Sequence, residues 1–142
     1  MQVFMKEEKT VFYPYSSWLK QRYGEKVYKL PVNLPVSCPN RCDGHGGCTF
    51  CSEKGTGFES VWQPASVTEQ MQHARDVVAK RYKARKFIAY FQNYTNTFMA
   101  MELFKAYLEE AAAFPDVVEI SVSTRPDCIR TDYLACLAEL QE

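Results

Sequence analysis

The sequence predicts an α/β fold built as a parallel (β/α) repeat. Segments rich in β-branched and aromatic residues alternate with segments of helical periodicity along most of the 142 residues. The chain is 46% apolar, which is enough for a buried core. Its length predicts one domain, residues 1–142, and we find no internal repeat or linker. Units of one strand and one helix at this spacing imply a parallel sheet with right-handed crossovers.

The first predicted elements are a short helix, a strand and a long helix. The short helix lies around Ser16–Tyr23, and the β-formers of Val27–Leu34 predict the strand. The segment Ser66–Ala84 is predicted to be helical, because Ser66 and Glu69 have the spacing of a capping box. The side chains on its apolar side are expected to be Val67, Met71, Ala74, Val78 and Tyr82.

The second half of the chain continues the alternation. The apolar run Phe87–Phe91 predicts a strand that is covered on both faces. A helix is predicted at Met99–Ala113, a strand at Val117–Ser123, and a last helix with Thr131 as its N-cap. The residues expected to face the core are Leu103, Phe104, Tyr107, Leu108 and Ala111 in the first of these helices, and Leu134, Leu137 and Leu140 in the last.

Parallel sheets bind ligands at the C-terminal ends of their strands. The segments that follow the three predicted strands are the cysteine-rich loop at residues 38–51, Gln92–Thr97 and Thr124–Cys128. These segments are also the polar, chemically unusual parts of the sequence. We therefore expect one functional edge.

The loop at residues 38–51 contains four of the six cysteines: Cys38, Cys42, Cys48 and Cys51. Thiolates so close together on a glycine-rich loop indicate a metal site, although their spacing does not choose the metal. Three thiolates on a four-iron cluster leave one iron open, whereas four close the site. His45 is expected to face solvent or to lie next to the metal ligands, and a role as ligand is the alternative. Cys128 and Cys136, which have no CxxC partner, are expected to be packing residues.

Charge and hydropathy limit the classes of partner. The 17 basic residues balance the 17 acidic ones, so no global attraction to nucleic acid is implied. The basic run Lys80–Lys86 is typical of the solvated end of a helix, and contact with phosphate is the alternative. There is no N-terminal apolar stretch, so we expect a cytoplasmic protein without membrane contact and without disulfides.

Several ordered motifs resemble those of the radical S-adenosylmethionine (radical SAM) superfamily. The segments Cys38–Arg41 (CPNR) and Gly46–Cys51 (GGCTFC) look like its cluster loop. The match is nearest to an incompletely characterised bacterial group related to the Elongator catalytic subunit, which has a long first interval between cysteines. The resemblance continues through Tyr23–Leu30, Tyr90–Thr97 and Ser123–Cys128, and so spans most of the chain.

The resemblance implies a [4Fe–4S] cluster held by Cys38, Cys48 and Cys51. Its open iron would bind S-adenosylmethionine (SAM), and an electron from a donor such as flavodoxin or ferredoxin would give a 5′-deoxyadenosyl radical. Cys42 departs from the pattern of the superfamily. We expect it to be a bystander, with a role as fourth ligand, or an exchange with Cys38, as the alternative.

The same resemblance suggests which residues contact SAM. They are Phe50 near the adenine, Gln92, Asn93, Tyr94 and Thr95 at the methionine group, Ser121 and Ser123 near the ribose, and Arg125 at a carboxylate of SAM or substrate. Structural alternatives exist for each group of residues. The Gln92 segment could be a polar turn, the serines could bond the backbone, and Arg125 could pair with Asp127.

A radical SAM core is normally a partial TIM-like barrel of six strands, of which this sequence predicts about half. The resemblance therefore implies the N-terminal half of an enzyme. Either the chain is a fragment of a longer protein, or the other half comes from a second polypeptide or from a second copy in a homo-oligomer. It leaves the substrate unknown, and RNA is compatible with the basic run. Two non-catalytic alternatives stay open: a four-cysteine zinc or iron–sulfur binding module, and an electron-transfer protein.

Overall fold

The computed structural model describes residues 11–42, 44, 46–51 and 65–141. His45 lies outside the described residues. The elements in chain order are α1 (Tyr15–Tyr23), β1 (Val27–Val32), α2 (Pro39–Cys42), α3 (Val67–Tyr82), β2 (Lys86–Phe91), α4 (Met101–Ala112), β3 (Val117–Val122) and α5 (Thr131–Glu139), with a 3-10 turn at Pro126–Cys128. The predicted strands and long helices are confirmed, and α2 was not predicted.

The three strands form one parallel sheet in the order β1-β2-β3. Leu30 pairs with Ala89, and Phe91 pairs with Val122. The register between β2 and β3 shifts at Phe87 and Ile88. Because all three strands run parallel, their C-terminal ends lie along one edge of the sheet.

Helices α3, α4 and α5 contribute to one core on a single face of the sheet. Alternate residues of the strands point into it, as the two-residue period of a strand requires. The members of this core that are at most 1% exposed are Leu30, Val32, Val67, Met71, Phe87, Ala89, Phe91, Phe104, Leu108, Ala111 and Tyr133. The two helices that follow β1 and β2 thus cover the same face. The described part of the chain is a mixed α/β fold with a parallel sheet, as predicted.

Helix α3 begins with the predicted capping box. The Ser66 hydroxyl accepts the Glu69 N–H at 3.1 Å, and the Glu69 carboxylate accepts the Ser66 N–H at 2.8 Å. Both bonds satisfy backbone donors that have no partner inside the helix. The predicted apolar side of α3 is confirmed, with Val67, Met71 and Val78 buried.

Three predictions about the other helices were wrong in detail. Leu103 is 44% exposed and Leu134 is 52% exposed, so neither faces the core. In α5 the buried side is set by Tyr133, whose ring packs edge-on against Phe104 with centroids 5.0 Å apart. The buried side of α5 therefore lies one residue from the predicted side, at Tyr133 instead of Leu134. The N-cap of α5 is Arg130 rather than Thr131, and no side chain caps it.

The opposite face of the sheet is covered by α1. Leu19 of this helix packs on Val27 and Ile88 in a small second core. The Tyr23 hydroxyl donates to Glu119 Oε2 at 2.9 Å, and the Tyr15 hydroxyl donates to Glu119 Oε1 at 3.5 Å. These bonds fasten α1 to β3 across the sheet.

Candidate functional site

The loops that follow the three strands meet at the C-terminal edge of the sheet. Thr95 N–H donates to the Ser37 carbonyl at 3.3 Å, which joins the loop after β2 to the loop after β1. The Asn96 side chain donates to the carbonyls of Phe91 and Ser123, at 3.0 and 2.9 Å. The prediction that these loops share one edge is therefore confirmed.

Asn40 connects the cysteine loop to the loop after β3. It lies in α2, one turn of helix that follows Cys38. Its amide nitrogen donates to the Cys48 sulfur at 3.0 Å, and its amide oxygen accepts a hydrogen bond from Arg125 Nη1. One short side chain thus contacts a cysteine that was predicted as a ligand and the arginine that was predicted to pair with a carboxylate.

The Cys38 thiol is surrounded by hydrogen-bond donors. The Thr95 hydroxyl donates to its sulfur at 3.2 Å. Burial raises the pKa of Cys38, but hydrogen bonds from Thr95, the Asn40 backbone and Arg125 outweigh burial, so the pKa lies below its ordinary value of 9.0. The site therefore favours the thiolate, which is the form that binds metal.

Arg125 is part of a polar network as well as a neighbour of Cys38. Its guanidinium contacts both carboxylate oxygens of Asp127, at 3.0 and 2.6 Å. This pairing raises the pKa of Arg125, with a further contribution from Cys38, and lowers the pKa of Asp127. The salt-bridge alternative is confirmed. The Arg125 side chain is still about one-third exposed, so it can also meet a ligand.

The other cysteines of the loop are placed differently. Cys51 N–H donates to the Cys48 carbonyl at 3.0 Å in a tight turn, and both residues are half-buried. Cys42 is exposed, and its thiol lies 3.9 Å from the Ser37 hydroxyl. Among the residues that the structure describes, no three Cys, His, Asp or Glu side chains converge as a metal site.

Glycines shape the loop around Cys48. Gly44, Gly46 and Gly47 all have positive φ, which other residues rarely adopt. At Gly47 a Cβ atom would lie 3.1 Å from Arg41 Cγ, so a larger residue would also displace that arginine. Phe50, which was predicted to lie near an adenine, is 80% exposed.

The loop after β2 contains a buried polar side chain without a hydrogen-bond partner among the described residues. Asn93 is 1% exposed, yet neither of its amide atoms has a hydrogen-bond partner among the described residues. The next residue, Tyr94, has φ of +58°, and the Arg41 guanidinium lies 5.2 Å from the centre of its ring. A buried polar group without a partner costs about 1–3 kcal/mol, so Asn93 indicates a missing ligand or water.

The remaining predicted residues lie in two environments. Ser121 lies in β3 on the face covered by α1, while its neighbours Ile120 and Val122 point to the main core. The Ser123 backbone joins the edge, since its N–H donates to the Phe91 carbonyl at 2.9 Å. Gln92 is half-buried at the start of the same loop as Asn93.

Sequence reasoning missed several residues of this edge. Asn40, Asn96 and the hydroxyl pair of Thr97 and Thr124 hold the loops together. Cys128 is half-buried rather than a core residue, and it lies close enough to Cys38 for the two thiols to interact electrostatically. Burial raises the pKa of Cys128, and Asp127 raises it further. The contacts of Asn40 and Asn96 join different loops, so no local pattern in the sequence signalled them.

Fold and site together define a class: an α/β protein with a parallel sheet and a thiol-containing polar site at its C-terminal edge. No protein-family model matches the chain, and no solved structure matches it. The chain is 40% identical over 127 residues to the uncharacterized protein YtqA of Bacillus subtilis, which covers 87% of this chain and 39% of that protein. It is also 37% identical over 126 residues to the protein YhcC of Escherichia coli K12, covering 87% of this chain and 40% of YhcC.

An archaeal protein is similar to the chain over a comparable length. The uncharacterized protein MJ0486 of Methanocaldococcus jannaschii is 30% identical over 133 residues, covering 93% of this chain and 41% of that protein. The chain thus spans about two fifths of the length of these relatives. Within the described part, none of the helices is long and apolar enough to cross a membrane.

Proposed function

We propose that the chain is the N-terminal part of a radical SAM protein, with a [4Fe–4S] cluster and SAM at the C-terminal edge of the sheet. The observation that carries this proposal is the contact of Cys38 with Thr95 and Arg125, together with the unpaired amide of Asn93 in the same loop as Thr95. A thiolate site and an unsatisfied buried polar group at one sheet edge fit a metal cluster next to a polar cofactor.

The proposed cluster ligands are Cys38, Cys48 and Cys51. The donor set fits a cluster, because Cys38 and Cys48 each accept a hydrogen bond, from Thr95 and Asn40, and such bonds tune thiolate ligands. The glycines around Cys48 allow the loop to bring its thiols together. Bound there, the cluster would supply the electron that cleaves SAM.

The chain's own residues would hold SAM and keep water away. The Asn93 amide would receive the hydrogen bonds that it lacks, and Arg125 would meet a carboxylate with its exposed part. Tyr94 and Gln92 flank Asn93 in the same loop, and Ser123 lies across the edge. Phe50 would have to become covered, since it is exposed in this structure.

The winding of the sheet supports the proposed barrel ancestry. Consecutive strands lie side by side and both connecting helices cover the same face, which is the arrangement of a (β/α) barrel. In this proposal the chain forms about half of a partial TIM-like barrel. The rest of a longer protein, or a second copy, would complete it. In this proposal the complete enzyme, and not this chain alone, would use an electron donor and bind a substrate, for which RNA is one candidate.

Reconstitution of cysteine variants tests the ligand assignment. Purified protein would be incubated anaerobically with iron and sulfide, followed by iron and sulfide analysis and the absorption near 400 nm. We expect Cys38→Ala, Cys48→Ala and Cys51→Ala each to lose most of the cluster, and Cys42→Ala, the matched control, to retain it. Loss in Cys42→Ala equal to the other three would instead favour a closed four-cysteine site, and stoichiometric zinc in place of iron would favour the zinc module.

A further inference from the structure

A cavity of about 310 Å³ lies at the N-terminal ends of the strands, at the opposite end of the sheet from the cysteine loop. Its lining includes Ala79 of α3 and Phe87 of β2. Phe87 belongs to the main core, so the cavity lies on the side of the sheet that the connecting helices cover. It is therefore separate from the proposed cluster site and from the sheet face that α1 covers. The charged residues of its lining are Glu25, Arg75, Arg85, Lys86 and Asp116.

Two ion pairs hold the walls of this cavity in place. Arg75 Nη2 lies 3.1 Å from Asp116 Oδ2, and this pair joins α3 to the start of β3. Lys86 Nζ lies 3.5 Å from Glu25 Oε1 and also donates to the Tyr23 carbonyl at 2.9 Å, which joins β2 to the segment before β1. Both acidic side chains of the lining are thus paired with a cation. A ligand would find walls that need little rearrangement.

Arg85 is the cation of the lining that has no ion-pair partner among the described residues. Its side chain is exposed, and it lies in the basic run Lys80–Lys86, which holds five cations and no acidic residue in a chain of zero net charge. Lys83 of this run, two positions before Arg85, is also exposed. The mouth of the cavity therefore has a positive potential that attracts anions.

The structure assigns this cavity as a binding site for a small phosphate monoester, with the Arg85 guanidinium as the main contact of the phosphate group. A guanidinium binds phosphate through two parallel hydrogen bonds. A phosphate monoester carries a charge of about −1.5 to −2 at pH 7, which suits the excess of cations better than the single charge of a carboxylate does. Ala79 and Ala84 leave apolar room for the rest of the ester.

The concave shape of the site favours a small ligand over a polymer, because sites of about 300–1,000 Å³ are typical of small molecules. Lys86 and Arg75 would support Arg85, since their side chains are 34% and 31% exposed and can turn a free N–H toward the phosphate. Binding at this site requires neither the proposed cluster nor SAM, and so it goes beyond the proposed function.

The test uses the full chain without iron, titrated at about pH 7.5 and constant ionic strength with phenyl phosphate and, separately, with benzoate, and followed by ¹H–¹⁵N NMR. We expect saturable phenyl phosphate shifts at the backbone amides of Arg85, Lys86 and Asp116, and benzoate binding weaker by about tenfold. Arg85→Gln should weaken phenyl phosphate binding by about tenfold. Arg85→Lys should restore part of the affinity, because lysine contacts phosphate as a point charge.

Arg81→Gln is the matched control. It removes the same charge from the same basic run, but the Arg81 guanidinium lies 5.3 Å from the centre of the Tyr82 ring, and Arg81 does not line the cavity. Its effect on phenyl phosphate binding should stay below about twofold, because an exposed charge at a distance is screened by salt. A melting curve for each variant verifies folding, and Arg85 is exposed, so its substitution should leave the fold intact.

Three results would overturn the inference. They are an absence of saturable shifts well into the millimolar range, equal binding of phenyl phosphate and benzoate, and equal loss in Arg85→Gln and Arg81→Gln. Equal loss in the two variants, together with much tighter binding of a short oligouridylate, would instead indicate a diffuse nucleic-acid surface. Because no cluster is present in these titrations, either outcome leaves the cysteine assignment to its own experiment.

Discussion

The Thr95 hydroxyl donates a hydrogen bond to the Cys38 sulfur across 3.2 Å, although the two residues are 57 positions apart in the chain. Thr95 itself is 1% exposed. The bond links the loop after β2 to the first cysteine of the loop after β1. A buried donor aimed at a sulfur is expected where a thiolate has to be stabilised.

Replacing this donor should change the reactivity of one cysteine. In Thr95→Val the pKa of Cys38 should rise toward 9.0, because a hydrogen bond to the thiolate is lost. Alkylation of Cys38 by iodoacetamide near neutral pH should slow several-fold in the metal-free protein, as measured by peptide mass spectrometry. The difference should vanish well above the ordinary pKa, where the thiol is ionised in both proteins.

Thr68→Val is the control for that experiment, because Thr68 bonds Glu110 on the surface, away from the cysteines. In the unaltered protein, Cys38 should also react faster than Cys128, whose pKa is raised. An unchanged rate in Thr95→Val would show that the Thr95 hydroxyl does not stabilise the thiolate.

The two buried asparagines of the edge should respond oppositely to the same substitution. Asn93→Leu removes an amide without partners, so the free energy of unfolding should stay constant or rise. Asn96→Leu removes the donor of two buried carbonyls and should cost about 2–3 kcal/mol. Denaturant unfolding of both variants measures the difference.

The same two variants also distinguish an effect on stability from an effect on ligand binding. We expect Asn93→Leu to be folded yet unable to bind SAM in the cluster-loaded protein. If Asn93→Leu were destabilised as much as Asn96→Leu, the Asn93 amide would have a structural role, and its proposed contact with SAM would lose its support.

Alkaline pH should weaken the attachment of α1 to the sheet. Burial raises the pKa of Tyr23 above 10.0, and Glu119 adds to this effect while Arg22 opposes it. A raised tyrosine pKa favours the neutral phenol in the folded state, so its stabilising contribution is full below pH 10.0 and is lost as pH rises through the folded-state pKa.

Thermal unfolding from about pH 8 to about pH 11 tests this expectation. Above pH 10.0 the melting temperature of the unaltered protein should fall more steeply than that of Tyr23→Phe, by a few degrees. Tyr13→Phe is the control, because Tyr13 is exposed and its hydroxyl donates to the Gln21 side chain. Parallel curves for Tyr23→Phe and the unaltered protein would argue against the Glu119 contact.

Local patterns in the sequence predicted the elements well. The capping box of α3 and the apolar run of β2 involve neighbours in the chain, so their structure follows from spacing alone. The inward face of α5 was predicted less well, because it depends on the contact of Tyr133 with Phe104, nearly thirty positions earlier. Leu134 was misplaced for this reason.

In the candidate site, too, features that follow from local sequence were predicted, and features that depend on distant contacts were not. Parallel topology was enough to predict that the three polar loops share one edge. The roles of Asn40 and Asn96 depend on hydrogen bonds between loops, which no local pattern encodes. The unpaired state of Asn93 is a property of its burial, and it became visible only in the folded structure.

We propose an iron–sulfur site with one open iron that binds SAM. The most direct measurement is electron paramagnetic resonance of the anaerobically reconstituted and reduced protein, with and without SAM. We expect a [4Fe–4S]⁺ signal that changes when SAM is added. A cluster signal indifferent to SAM, or zinc in place of a cluster, would contradict it.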